Sequence, residues 1–155
     1  MSALSVGLNY DPGNWFVMSE FVAFQSEGFL TNSKSWYSTV GYRFGAFTPY
    51  FSYASTKADV PQEAGITSVT NVPQLDGAAA GLNAGINTSL NSINGSQATT
   101  SVGIRWDAMP NVAVKAQYDR IKLGSGSAGR LTSVQPGFEY GGNVDLFSVS
   151  VDFVF

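Results

Sequence analysis

Hydrophobicity in this chain alternates with a period of two, and no other feature limits its possible folds as strongly. The last stretch, VDLFSVSVDFVF (144–155), puts Phe147, Val149, Val151, Phe153 and Phe155 on one parity, with Ser148, Ser150 and Asp152 between them. Successive side chains of a strand point to opposite faces, so this pattern specifies one apolar and one polar face. Five more segments repeat it. Leu4, Val6, Leu8 and Tyr10 alternate with Ser5, Gly7 and Asn9, and Trp36, Val40, Tyr42 and Phe44 with Thr39, Gly41 and Arg43. Phe47, Phe51 and Tyr53 alternate with Thr48, Ser52 and Thr56, and Val102, Ile104 and Trp106 with Ser101, Gly103 and Arg105. Val112, Val114, Ala116 and Tyr118 alternate with Lys115, Gln117 and Asp119. The weakest segment is 15–24: Trp15, Val17 and Phe21 share a face, while Phe16, Met18 and Phe24 lie opposite, around Glu20. Seven strands are therefore expected.

The connectors alternate in length. Asp11-Pro12-Gly13-Asn14, the Gly45-Ala46 corner and Asp107-Ala108-Met109-Pro110-Asn111 carry the residues of tight turns. Segments 25–35, 57–98 and 123–143 are long. This is the pattern of an up-and-down antiparallel sheet with unlike rims, as in outer-membrane barrels with short turns on one side and long loops on the other. Within the long loop 57–98, Leu82, Ile86, Leu90 and Ile93 fall at helical spacing behind a capping Asp76, but the Gly and Asn content makes any helix short and marginal. GSGSAG (124–129) reads as flexible loop. The whole chain reads as a single domain.

Composition then separates a soluble sheet from a membrane one. Charged residues make up 12%, about half of what soluble domains carry, and aromatics 14%. The polar faces hold small neutral residues with few charges. Aromatics collect near strand ends, as at membrane interfaces. Together these favour a transmembrane barrel over a soluble β-sandwich binding module. No cysteine or histidine is present, which excludes disulfides, thiolate metal sites and Ser–His nucleophilic pairs. GSGSAG lacks the strand–loop–helix context of a phosphate cradle. The net charge of −3 and the absence of a basic run argue against a nucleic-acid partner. No cofactor is expected. Asp59, Glu63 and Asp76 in the long loop are too scattered to assign a metal site.

The stretches GLNYDPGNWFVMSEF (7–21), WYSTVGYRFGAFTPYFSYA (36–54), TTSVGIRWDAMPNVAVKAQYDRIK (99–122), QPGFEYGGNV (135–144) and DLFSVSVDFVF (145–155) resemble, in this order, the C-terminal half of Gram-negative outer-membrane general porins. The resemblance implies a barrel of about 16 strands wide enough for an aqueous channel. It further implies a homotrimer in the bacterial cell outer membrane, in contact with lipid, passing small hydrophilic solutes and ions by passive diffusion. Seven strands is an odd count, and bacterial single-chain barrels use even ones. The expectation is that these are the last seven strands of a longer protein, whose leader and first half precede Met1, and that alone they give no stable channel.

In such a channel no reaction chemistry occurs, and selectivity comes from lumen charges. The polar faces nominate Glu20, Arg43, Arg105, Asp107, Lys115, Asp119 and Asp152 as pore-lining, with Arg120 and Lys122 near the long-loop rim. Arg43 and Arg105 stand out against backgrounds of small residues. Opposite signs facing each other across the pore would create a transverse field; the plainer alternative for each is a solvated charge or a cross-strand ion pair. Phe155, with Phe153 and Val151 before it, resembles the signal read by the outer-membrane assembly machinery. The competing reading is a small structural or adhesive outer-membrane barrel with a plugged lumen.

Overall fold

In the computed structural model, residues 1–26, 32–60, 65 and 73–154 are described. They form one open antiparallel sheet in sequence order, β1 (Ser2–Tyr10), β2 (Trp15–Gln25), β3 (Asn32–Tyr42), β4 (Phe47–Asp59), β5 (Gln97–Met109), β6 (Val112–Leu123) and β7 (Asn143–Phe153). Among the described residues a single helix, α1 (Pro73–Ser92), lies between β4 and β5. Each strand is hydrogen-bonded to the next, and β1 and β7 are not joined. Because odd-numbered strands run the same way, β1 and β7 are parallel, and antiparallel closure would take an odd number of further strands between them.

The short turns form as their residues demand. Asp11 Oδ1 accepts the Gly13 N–H at 3.1 Å, and Gly13 adopts φ +113°, a region L side chains rarely visit. Phe44 and Phe47 exchange backbone hydrogen bonds around Gly45-Ala46, with Gly45 at φ +58°. A register shift between Asp107 and Met109 precedes Asn111, which turns at φ 70°. All three lie at one end of the sheet, the turn side; the long connections lie at the other, the loop side.

The strands run beyond their expected bounds on the loop side: β3 starts at Asn32 and β4 continues to Asp59. α1 is also longer than the short, marginal helix expected; Thr88 and Ser89 donate to the carbonyls of Ala84 and Gly85. GSGSAG is not a free linker. Ser127 is fully buried: its Oγ donates to Asn94 O and accepts the Gly129 N–H, and its carbonyl accepts the Gly141 N–H. Arg130 N–H donates to Gln97 Oε1, and Gly129 backs onto Leu123 so closely that a Cβ there would lie 2.7 Å from its Cδ2. Gln97 and Leu123 belong to the polar parity, so the β6–β7 loop folds over that face of the sheet.

The register assigns every strand residue to one of two faces. Leu4, Val17, Val40, Phe51, Val102, Tyr118 and Phe147 share the apolar one; Asn9, Met18, Thr39, Ser52, Ser101 and Asp119 share the other. Burial is inverted relative to a soluble protein. Val102 is 56% exposed and Ile104 42%, whereas Ser101, next to Val102 in the chain, is 8% exposed. Among the described residues only Ala79, Ala113, Ile121 and Leu123 are buried hydrophobics.

Candidate functional site

Three adjacent rows on the polar face build the site. The first runs Phe16–Gly41–Tyr50–Gly103–Gln117–Ser148, one residue from each of β2 to β7. Its two glycines are required by their neighbours. A Cβ on Gly41 would collide with the Phe16 ring, and one on Gly103 with the Tyr50 ring. The missing side chains let both rings lie across the next strand. Tyr50 thus reaches past β5, and its hydroxyl donates to Gln117 Oε1 on β6 at 2.7 Å.

The second row, one step toward the turns, is basic: Thr48, Arg105, Lys115 and Ser150 align, with Arg43 beside Thr48 past the end of β3. Aromatic rings lie beneath two of these cations. Arg43 Cζ lies 5.1 Å from the Phe16 ring centroid, and Lys115 Nζ lies 5.2 Å from that of Tyr50. The third row is acidic, with Asp107 and Asp152 flanking Ala113, and Asp11 in the β1–β2 turn. The basic row and its neighbours line a groove of about 670 Å³.

The charges differ in how far they are compensated. Arg43 grips the β1–β2 turn: Nη1 and Nη2 each donate to one Asp11 carboxylate oxygen at 2.7 Å, and Nη1 also donates to Gly13 O at 2.6 Å. The Arg43 guanidinium, aided by the Gly13 N–H, holds the Asp11 carboxyl below its usual value. Arg105 Nε donates to Asp107 Oδ1 at 2.9 Å, with Nη2 at 2.8 Å. Lys115 has no carboxylate within 4.0 Å among the described residues.

All seven nominated pore-lining residues fall on or continue the polar face. Arg43, Arg105, Asp107, Lys115 and Asp152 line the groove. Glu20 and Asp119 lie outside it, toward the loops. Glu20 accepts from Ser5 Oγ at 2.7 Å. Asp119 is buried and accepts from Gln117 Nε2 at 2.8 and 3.0 Å. Opposite signs sit in successive rows of one wall, stacked along the strands. Asp11, Phe16, Tyr50 and Gln117 complete the site and were not singled out by sequence as its parts; the signal for two of them is an aromatic facing a glycine, visible only once register is known. Val151 and Phe153 lie exposed on the apolar face, while Phe155 and Glu63 fall outside the described residues.

Comparison with known protein families, with curated proteins and with solved structures finds no match.

Proposed function

We propose that this sheet is part of the wall of a water-filled porin channel in the outer membrane of a Gram-negative bacterium, through which small hydrophilic solutes and ions diffuse passively. The observation that carries this reading is the inverted burial at the centre of the sheet: Phe51, Val102 and Ile104 on the apolar face are exposed, whereas Thr48, Ser101 and Asp119 on the polar face are buried. In water such a face is a large unprotected apolar patch. Against lipid it is the stable arrangement, because backbone groups are satisfied within the sheet and apolar side chains meet hydrocarbon. Aromatics flank the apolar band at both rims: Tyr10–Trp15 (5.4 Å between rings) and Phe47–Trp106 (6.0 Å) on the turn side, and Trp36–Tyr53 (5.3 Å) toward the loops. The groove supplies alternating cationic and anionic rows to a hydrated solute, with Lys115 as the uncompensated cation. In this reading the apolar residues around Val151 and Phe153 pack in lipid and serve, with Phe155, as the assembly signal, and homotrimers form around the apolar exterior.

One observation favours a second reading. The β6–β7 loop folds over the polar face at Leu123 and Gln97, as it would in a small structural or adhesive barrel with a plugged lumen.

The chain contains no cysteine, so single-cysteine variants at 147–151 can be made cleanly. With the protein in the bacterial envelope, a water-soluble maleimide should label the Ser148→Cys and Ser150→Cys variants. It should spare Phe147→Cys, Val149→Cys and Val151→Cys. Protection of all five supports the plugged barrel; labelling of all five rejects both membrane readings.

A further inference from the structure

We propose that the loop-side rim of the apolar face binds the phosphate groups of lipid headgroups through Lys34, Lys57, Arg120 and Lys122. This inference rests on the membrane reading and goes beyond it, since a channel wall needs no such site. The chain has eight Lys and Arg. Four of them have the parity of the apolar face, and all four lie at the loop end of their strands. Each is exposed. None pairs with a carboxylate within 4.0 Å among the described residues.

Their placement follows the aromatics. On the apolar face Lys34 is the next outward residue after Trp36, and Arg120 the next after Tyr118; Lys57 lies two such steps beyond Tyr53. Each step is roughly 7 Å along the strand. Ring side chains of this kind sit at the headgroup boundary. The cations one step farther out therefore fall at the level of the phosphates. The stems of Lys and Arg extend that reach further.

Register brings like charges together. Lys34 and Lys57 are directly opposite on neighbouring strands, and Arg120 and Lys122 follow one another on β6. Facing like charges oppose strand pairing, and an anion between them turns that repulsion into bridging. Two carboxylates share the rim. Asp145 faces Arg120 in register but accepts the Tyr118 hydroxyl at 2.7 Å, and Asp59 faces Asn32. The patch keeps an excess of positive charge. Among the described residues the turn-side rim has nothing comparable: beyond Tyr42 and Trp106 the next cation, Arg43, is turned onto Asp11 on the other face. The asymmetry also orients the protein, with the loops on the side where net anionic headgroups are bound.

Flotation of the full chain with neutral phosphatidylcholine vesicles and with vesicles containing phosphatidylglycerol tests this. For the wild type, anionic lipid should raise partition by on the order of tenfold or more, with the gain lost at high salt. The triple variant Lys34→Gln/Lys57→Gln/Lys122→Gln should float with neutral vesicles as the wild type does. Its anionic gain should fall to within about twofold. Arg130→Gln, which removes a cation from the β6–β7 loop, should keep the gain. Normal flotation with neutral vesicles, but an anionic gain that is absent in the wild type or unchanged in the triple variant, overturns the phosphate site alone. Failure of the wild type to float with either vesicle overturns the membrane reading, and the phosphate site with it.

Discussion

Ser148 and Val149 are neighbours at the middle of β7, yet they lie on opposite faces of the sheet. Ser148 continues the row of Tyr50 and Gln117 on the polar face. Val149 is 60% exposed, on a face that carries Val151, Phe147 and Phe153 with similar exposure. A soluble sheet would bury the second face and wet the first. Here Val102 and Val149 are exposed while Thr48, Ser101 and Asp119 on the polar face are buried, and the ion pairs at the turn end of that face stay open to solvent. Among the described residues the hydrophobic effect has little core to work on within this sheet beyond Ala113, Ile121 and Leu123, and most of the apolar side chains stay uncovered.

The largest expected effect comes from placing the same charge on either side. If the apolar face meets lipid, Val149→Arg should cost about 2–4 kcal/mol near the bilayer midplane. Ser148→Arg, one residue away but facing water, should stay within about 0.5 kcal/mol. Urea titration of the protein folded into vesicles measures both. Equal small effects would mean that Val149 lies in water, and the contrast between the faces would lose its meaning.

A smaller effect sharpens the comparison within the polar face. Gly103→Ala drives a methyl into the Tyr50 ring, which must move off Gln117 and from beneath Lys115. Overpacking of this kind costs about 1–3 kcal/mol. Gly7→Ala is on the same face, where the nearest atom, Ser19 O, would lie 3.8 Å away, so it should change stability by less than about 0.5 kcal/mol. In a Tyr50→Ala background the cost of Gly103→Ala should vanish, because the two are coupled through one contact. An undiminished penalty there would mean the glycine serves some other purpose.

The sequence made the faces legible because parity is local. Once a strand is recognised, alternation alone assigns Arg105, Lys115 and Asp152 to the same side as Ser101 and Ser148. It did not make the rows legible, because they depend on where seven strands stop against one another. The 15–24 segment looked irregular for this reason. Phe16 belongs on the polar face because Gly41 across from it leaves a ring-sized space that Arg43 then covers. The small residues around Arg43 and Arg105 include Gly41 and Gly103, and register fills the space beside these two glycines with aromatic rings. Composition misled at 124–129, where Gly and Ser signalled freedom. Their small size instead lets Ser127 be buried and the loop settle against Leu123.

The smallest effect separates the two arginines from Lys115. Arg43 and Asp11 are both exposed, so their contact carries position more than stability. Its signature is a titration. The Arg43 hydrogen bonds, then the Gly13 N–H, favour the charged carboxylate and lower the Asp11 pKa below its ordinary 3.8. A lowered carboxylate pKa contributes stability above the unfolded value and loses it as pH falls through the folded one. The turn should thus stay latched through neutral and mildly acidic pH and release only below the ordinary aspartate range. Carboxyl NMR of Asp11 should give a midpoint under 3.8 in the wild type. Arg43→Gln should move it back toward the ordinary value, and Lys115→Gln should leave it unchanged. A wild-type midpoint at or above the ordinary value would mean that Arg43 is not held by the turn. Its charge would then face the groove as freely as that of Lys115, and the two kinds of cation on this wall would be one.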